Sequence, residues 1–421
     1  MSALGQILSP LDKHVFLREH WARQPVHVRG HAAKFADLFG WPSFDRYLNH
    51  HLRFFAPPAL ELYDGRRGGG RIPPELFQES IVDANRCPLT VSSPARIREL
   101  CRAGASLMLR SVDDGDPQIK RFAAALGHEL GENLRVDLFY TPPESPGVHQ
   151  HYDREDVLVL QVEGEKEWHL SAPTVRAPLD MPDYAELARA PIYPDHVFRL
   201  SKGDFLHVPR GVWHAAQTSG GPSLHLTVRV ACRTGIDFLR WALAELAREE
   251  PSLRENLPLT LQAGAPYGYE PAALGEAVAR IRGAALAFLE RPDLVARYNK
   301  DCVKGDRAAE PYQLRAQAGV KGADAAWTEE TAFRRPPGQR FALERCAARD
   351  VAILSVWGAE LEFPLSAAAL LESIFSRDRL SGRELASGRG GAAWAEAAPV
   401  LARLVAAGVV FVAEPGGASL G

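Results

Sequence analysis

The apolar positions of this chain follow different periods in successive regions. In residues 10–50 they recur three or four positions apart, in PLDKHVFLREHW and SFDRYLNHHL, which predicts amphipathic helices. SPARIRELCRAGA and DPQIKRFAAALGHEL predict two more helices, the second starting at Asp116 before Pro117. Between residues 134 and 232 the period becomes two, in segments separated by Gly, Pro and Ser: LRVDLFYTPP, DVLVLQVEGEKEWHL, HVFRLSKGDFLHVP and SLHLTVRVAC. Such a series of short strands predicts a β-sandwich or barrel.

The helical period returns after the predicted barrel. IDFLRWALAELARE and EAVARIRGAALAFLERPDLVARY indicate helices between residues 236 and 300, and charged and Pro/Gly-rich segments interrupt the pattern over 308–340. The tail has a strand-like DVAILSVWGAELEF and two helices, the second leading into a strand, an order that resembles a winged helix. We therefore divide the chain into a β domain with N-terminal helices, a helical region and a winged-helix-like domain, at 1–235, 236–307 and 308–421.

Composition narrows the possible partners and location. The formal net charge is −3 and 24% of residues are charged, so no general attraction to nucleic acid or acidic membranes is expected. The tail has balanced charges and no basic helix face, which argues against DNA binding. The pattern predicts neither a membrane-spanning segment nor a signal peptide. Five widely spaced cysteines without a CxxC pair indicate reduced thiols in a cytoplasmic protein.

A metal site is indicated by GVHQHYDRED, residues 147–156. If HQHYD is a strand, its alternation places His149, His151 and Asp153 on one face. His214, which follows a Pro-Arg-Gly turn in GDFLHVPRGVWH, is a candidate third ligand from a distant strand. Two histidines and one carboxylate leave three positions of an octahedron open, the arrangement of non-haem Fe(II) oxygenases. Those positions accept a chelating co-substrate and O₂.

Two ligand sets compete for this stretch. Gly203, Pro209, Gly211 and His214 fit the second cupin motif, and the cupin pattern His-x-His-x₃-Glu would add His149, His151 and Glu155. The oxygenase pattern His-x-Asp would choose His151 and Asp153 with His214. We favour the second set, because the glycine expected six positions before His149 is missing and Glu155 precedes a strongly apolar strand.

A lysine supports this choice. In GEKEWHL, residues Lys166, Trp168 and Leu170 share one face of a strand, and that face is expected to point into the barrel. A buried ammonium group is costly unless it is paired. The distal carboxylate of 2-oxoglutarate would be such a partner, and the alternative is a lysine that extends to solvent from the end of a hairpin.

HYDREDVLVLQVEGEKEWHL, followed by GDFLHVPRGVWH and SLHLTV, resembles the JmjC oxygenases, and within them the ribosomal-oxygenase branch. That branch hydroxylates histidine or arginine side chains of ribosomal proteins. The resemblance spans about 134–232 most strongly, and more weakly the N-terminal segment. It implies a double-stranded β-helix (jelly-roll or cupin) core in an α+β protein with flanking helices. It also implies that the helical region dimerises and that a winged-helix domain without DNA-binding function follows.

Carried over by position, the resemblance implies that His151, Asp153 and His214 bind iron and act in catalysis. Lys166 matches the basic position for the distal carboxylate of 2-oxoglutarate, and His225 and Thr227 lie where smaller contacts to that pocket are expected. One departure concerns the preceding strand. The family often has Asn-x-Tyr there, and this chain has Asp137, Leu138 and Phe139, with Tyr140 on the opposite face.

The sequence thus predicts an Fe(II)-dependent oxygenase that uses 2-oxoglutarate and O₂ to hydroxylate a side chain of a protein or peptide. The altered strand keeps a tailoring hydroxylase of a ribosomally made peptide natural product as an alternative. A non-catalytic cupin-like binding or regulatory protein is the alternative of another class. We expect a cytoplasmic homodimer with no nucleic-acid or membrane partner, and the substrate and the role of His149 stay open.

Overall fold

The computed structural model of the chain divides into two compact units, Met1–Cys232 and Arg233–Gly421. It describes residues 2–51, 59–65, 70–82, 85–179, 190–260, 268–269, 271–305, 327–336, 339–387 and 394–413. The predicted boundary at 307/308 falls outside the described residues, so the three-domain division stays a prediction. Within the described ranges, no helix is both long and apolar enough to cross a membrane.

Antiparallel strands form the centre of the first unit. An eight-stranded sheet has the order β1-β11-β8-β13-β7-β6-β2-β3, and a three-stranded sheet has the order β10-β9-β12. The strands are β1 (Val26–Val28), β2 (Leu60–Asp64), β3 (Gly70–Arg71), β4 (Gln78–Val82), β5 (Pro88–Ser92), β6 (Ser106–Leu109), β7 (Asn133–Thr141), β8 (Asp156–Glu163), β9 (Lys166–Ser171), β10 (His196–Leu200), β11 (Phe205–Val208), β12 (Trp213–Gln217) and β13 (Ser223–Ala231). Strands β4 and β5 form a separate hairpin.

Strand β8 shows why the middle of the sequence forms this core. Its apolar run is continuous because both faces are buried. Leu158 and Leu160 belong to the cluster under the helices, whereas Val157 and Val159 pack with Trp168 of the small sheet. Full burial of each such side chain stabilises the folded state by roughly 1.5–3 kcal/mol. The two sheets therefore face each other across a shared apolar layer, as the strand pattern predicted.

Helices cover the other face of the large sheet. In this unit they are α1 (Ala3–Leu8), α2 (Lys13–Val15, continued by a π-helical turn at Phe16–His20), α3 (Trp41–His51), α4 (Pro94–Arg102) and α5 (Pro117–Leu130). The predicted start of α5 is confirmed, because the Asp116 side chain accepts from the N–H groups of Gln118 and Ile119. The helix ends at Gly131, whose φ of 70° suits the left-handed cap.

The described residues of the second unit form two apolar clusters. Its helices are α6 (Gly235–Glu249), α7 (Pro271–Leu289), α8 (Leu294–Lys304), α9 (Ala368–Phe375), α10 (Gly382–Ser387) and α11 (Trp394–Ala406). Its strands are β14 (Leu259–Thr260), β15 (Gly268–Tyr269), β16 (Ala332–Arg334), β17 (Ala342–Cys346), β18 (Val351–Val356), β19 (Ala359–Pro364), β20 (Arg379–Ser381) and β21 (Phe411–Val412). DVAILSVWGAELEF is a hairpin of β18 and β19. The winged-helix and dimer assignments stay predictions.

Candidate metal centre

Three predicted ligands converge at one end of the two sheets. One side-chain atom each of His151, Asp153 and His214 lies within 4.8 Å of the other two. The His214 Nε2 is 3.4 Å from the Asp153 Oδ2, and the two imidazole centroids are 4.3 Å apart. Within the described residues, no other trio of histidine, cysteine or acidic side chains meets in this way. Two neutral imidazoles and one carboxylate form a donor set suited to a divalent transition metal.

Main-chain hydrogen bonds hold the segment that carries His151 and Asp153 against the segment that carries His214. The N–H of His151 donates to the carbonyl of His214 at 3.0 Å, and the N–H of His214 donates to the carbonyl of His151 at 2.7 Å. The N–H of Gly211, in the turn before β12, donates to the carbonyl of Asp153 at 2.9 Å. Thus the Pro-Arg-Gly turn that follows β11 holds both His214 and the Asp153 main chain.

A β-bulge separates His149 from the trio and corrects one prediction. HQHYD is not a regular strand: Pro146 pairs with Gln217, and His151 pairs with His214, but β8 begins only at Asp156. Between these two pairs, the four residues 147–150 lie opposite only two residues of β12, Ala215 and Ala216. The strict alternation expected for His149, His151 and Asp153 was therefore wrong. His149 is exposed and lies outside the trio.

Hydrogen bonds orient both imidazoles toward the centre of the trio. The Nδ1 of His151 lies 2.8 Å from the carbonyl of His149, and the Nδ1 of His214 lies 3.1 Å from the carbonyl of Val212. With Nδ1 protonated and donating, each Nε2 keeps a lone pair for a metal. Burial, and secondarily the neighbouring His151, lowers the pKa of His214 to about 4. His214 is thus neutral at physiological pH, the form that binds metal.

The trio opens into a cavity of about 310 Å³ that also contains Lys166. The inward orientation predicted for Lys166 is confirmed, since its side chain is buried and its Nζ donates to the Thr141 Oγ1 at 2.8 Å. Burial lowers the pKa of Lys166 to about 7. Ser106 extends this chain of polar groups, because its hydroxyl donates to the Thr141 Oγ1 at 3.3 Å.

His225 and Thr227 line the same cavity from β13. The His225 ring stacks on Phe139 with centroids 4.9 Å apart and meets Trp168 edge-on at 5.4 Å. Burial, and secondarily Lys166, holds the pKa of His225 well below its usual value. Two buried nitrogens in this wall, the Nδ1 of His225 and the Nε1 of Trp168, have no hydrogen-bond partner among the described residues.

A network of paired charges lines the cavity further along β7 and β13. The Arg229 guanidinium bonds the Asp137 carboxylate at 2.7 Å and the Glu155 carboxylate at 2.8 Å. Asp137 also accepts from the N–H of Ser111 at 2.9 Å. Glu155 lies outside the trio, so the geometry supports the His-x-Asp ligand set over the cupin set.

Thr141 is a cavity residue that was not predicted, although its position on β7 is visible in the sequence. Asp137, Phe139 and Thr141 share one face of β7, because they lie two positions apart in LRVDLFYTPP. Arg110 and Tyr63 were also missed, and they line the cavity beside Glu61, to which both are hydrogen-bonded. No local motif marks these two, because β2 and β6 reach the cavity only through sheet pairing.

Gly211 provides a test of how tightly the ligand-bearing turn is packed. Its φ is +86°, and a Cβ there would lie 2.7 Å from the Pro178 Cδ and 2.9 Å from the Val175 carbonyl oxygen. We expect Gly211→Ala to lower the free energy of unfolding by about 2–4 kcal/mol, combining backbone strain with overpacking. Urea unfolding measures the loss.

Gly220→Ala is the matched control for that variant. Gly220 has a φ of +101°, but a Cβ there would meet nothing within 4 Å. The free energy of unfolding of Gly220→Ala should therefore fall only by the cost of the backbone strain, about 1–2 kcal/mol. Equal losses for the two variants would show that the turn at Gly211 is not crowded.

Comparison with known proteins agrees with this geometry. Residues 116–238 match the family model described as a JmjC domain. The chain is 35% identical over 272 residues to ribosomal oxygenase 2 of Rattus norvegicus, covering 61% of this chain and 54% of that protein. It is 28% identical over 277 residues to the bifunctional lysine-specific demethylase and histidyl-hydroxylase NO66 of Drosophila persimilis, covering 61% of this chain and 36% of that protein. Each match thus spans little more than half of the relative, or less.

A solved structure extends the likeness in fold to nearly the whole chain. YcfD, a ribosomal oxygenase from Escherichia coli solved in complex with cobalt and 2-oxoglutarate, aligns with a TM-score of 0.54 and 17% identity. The alignment covers 96% of this chain and 99% of that one. At this identity the match shows a shared fold, and it confirms the predicted cupin-like core with flanking helices. Residues 116–238 therefore match a JmjC domain, and ribosomal oxygenases are among the relatives of this chain, as the sequence predicted.

Proposed function

We propose that this protein is an Fe(II)- and 2-oxoglutarate-dependent dioxygenase that hydroxylates a side chain of a protein or peptide. The observation that carries the proposal is the meeting of His151, Asp153 and His214 with the buried Lys166 in one cavity. The two histidines and Asp153 provide a metal site with three ligands on one face. Lys166 provides a cation for the distal carboxylate of a 2-oxo acid that also binds the metal. A non-catalytic cupin-like protein needs neither group in this arrangement.

The residues present fit iron. The Nε2 atoms of His151 and His214 and one Asp153 oxygen would hold one face of the ion, leaving three positions for a 2-oxo acid and O₂. Bound iron supplies the oxidation chemistry that couples loss of CO₂ from 2-oxoglutarate to hydroxylation of a C–H bond. The protein's own residues bind and orient the reactants and exclude bulk water from the cavity.

The residues around Lys166 fit the distal carboxylate of 2-oxoglutarate. Among the described residues Lys166 has no carboxylate partner, and its only side-chain hydrogen bond is to Thr141. The His225 Nδ1 and Trp168 Nε1, which have no partner among the described residues, lie in the same wall. We assign the carboxylate to Lys166 and Thr141, with His225 and Thr227 as flanking contacts. Thr141 would supply the hydroxyl that the family's tyrosine supplies from the position of Phe139.

The affinity for 2-oxoglutarate is expected to depend on pH through Lys166. Burial holds the pKa of Lys166 in the empty site at about 7, and a bound carboxylate raises it, so binding is coupled to protonation of Lys166. Affinity should reach its plateau below pH 7 and fall about tenfold per unit above pH 8. Calorimetric titration of the Co(II) protein from pH 7 to 9 measures this slope. A flat profile would mean that Lys166 does not bind the acid in its charged form.

The name of one relative, histidyl-hydroxylase, supports a histidine target, and ribosomal proteins are the first substrates to test. Wild-type protein, Fe(II), 2-oxoglutarate and O₂ would be incubated with peptides from bacterial ribosomal proteins. Mass spectrometry should show a gain of one oxygen on a single residue of one peptide, and none without 2-oxoglutarate. Oxygen gain that continues without 2-oxoglutarate would contradict the proposal.

We also propose a cytoplasmic homodimer that joins through the helical region. On α6, Ile236, Leu239 and Leu243 lie three and four positions apart and are exposed by 36%, 44% and 53%. An apolar stripe of this kind on a helix is typical of a surface that a partner covers. The three-domain division and the winged-helix assignment of 308–421 belong to the same proposal.

A further inference from the structure

A second cavity of about 280 Å³ lies beside the metal cavity and shares part of its wall. The shared residues are Val148, His149, Ala215 and Ala216. The first two belong to the bulge, and the other two follow His214 on β12. The bulge therefore forms the boundary between the two cavities, and His149 is an exposed imidazole at that boundary.

Main chain and small side chains form much of the second cavity. A Cβ at Gly65 would lie 2.1 Å from the carbonyl oxygen of Pro146, and a Cβ at Gly147 would lie 2.7 Å from that of Ala216. Only glycine allows this close packing of three main-chain segments. Since Ala215 and Ala216 are also small, no large side chain of these segments fills the cavity.

The bulge leaves a main-chain donor unused. Gly147 and His151 donate their N–H groups to the carbonyls of Ala216 and His214 on β12, and within the described chain the N–H of Val148, a residue that lines both cavities, has no main-chain partner. A free main-chain donor beside small residues is a feature of sites that bind an extended peptide by its main chain.

We infer that the second cavity binds the extended main chain of the substrate next to the target residue, and that His149 positions this chain; this rests on the proposed function. A protein substrate must place one side chain in the metal cavity, and a main chain that continues across the shared wall enters the second cavity. His149 is the largest side chain of that wall. His149 lies outside the converging trio, so we assign its exposed side chain to the substrate and not to the metal.

Retention of peptides from a mixture tests this assignment. Protein loaded with Co(II) and 2-oxoglutarate would be incubated with short overlapping peptides from bacterial ribosomal proteins, and retained peptides identified by mass spectrometry. Wild-type protein should retain a defined subset. His149→Ala should weaken retention of that subset by about tenfold, as expected for a central contact. Ala215→Trp, which fills the shared wall, should weaken retention at least as much.

Controls separate this result from misfolding and from failure of the proposed function. His196 is an exposed histidine on β10 that lines neither cavity. His196→Ala should therefore leave peptide retention unchanged. The Co(II) absorption spectrum reports whether each variant keeps the metal site. If wild-type protein binds 2-oxoglutarate but retains no peptide, or if His149→Ala and Ala215→Trp retain as much as His196→Ala, the inference is overturned. If Co(II) protein binds no 2-oxoglutarate, the proposed function itself fails.

Discussion

Asp153→Ala protein is expected to bind Co(II) at least about 100-fold more weakly than wild-type protein and to form no succinate. The variant removes the one carboxylate of the trio, leaving two neutral imidazoles to hold a divalent cation. Groups that merely orient metal ligands already contribute about 10–100-fold in affinity, so the loss of a charged ligand is larger. Titration followed by the visible spectrum of bound Co(II) measures the change.

Glu155→Ala is the matched control, because Glu155 is the acid that the rival cupin ligand set would use. Its carboxylate bonds Arg229 at 2.8 Å, so the variant loses a half-buried ion pair. Thermal stability should fall modestly while Co(II) affinity stays within about threefold of wild type, since Glu155 belongs to no converging trio of the described residues. A large loss of Co(II) binding in Glu155→Ala, with Asp153→Ala unaffected, would reverse the ligand assignment.

Lys166→Met protein is expected to bind 2-oxoglutarate about 10–100-fold more weakly while keeping wild-type affinity for Co(II). A hydrogen bond between charged groups contributes about 1.5–3 kcal/mol, and methionine fills similar space without the charge. The folded protein should tolerate the change, because the ammonium group is buried without an ionic partner in the described chain. Calorimetry with 2-oxoglutarate in the Co(II) protein measures the affinity.

Lys202→Met is the control for the loss of a positive charge. Lys202 bonds Glu163 at 2.9 Å and lines neither the metal cavity nor its neighbour. Its replacement should leave 2-oxoglutarate affinity unchanged. If Lys166→Met behaves like Lys202→Met, the distal carboxylate is bound elsewhere in the cavity.

The metal trio could be predicted from the sequence because its information is local. His151 and Asp153 are two positions apart, and the Pro-Arg-Gly turn that aims His214 lies just before it. Lys166 could be predicted for a similar reason, since the period of a regular strand decides which way it faces. Both predictions used only information within one short segment of the chain.

His149 could not be placed in this way. Its orientation depends on the register between residues 146–151 and β12, which the distant contacts of Pro146 with Gln217 and of His151 with His214 determine. A bulge that arises from such pairing leaves no reliable mark in a single segment. The same reason applies to Arg110 and Tyr63, because β2 and β6 reach the cavity through the sheet order.

Succinate formation tests the central claim most directly. Protein with Fe(II) would be titrated with 2-oxoglutarate without oxygen, and O₂ then admitted, for wild type and for His151→Ala. We expect metal-dependent binding of 2-oxoglutarate and then succinate from the wild-type protein, with neither from His151→Ala. Absence of both from wild-type protein, or equal succinate from His151→Ala, would contradict it.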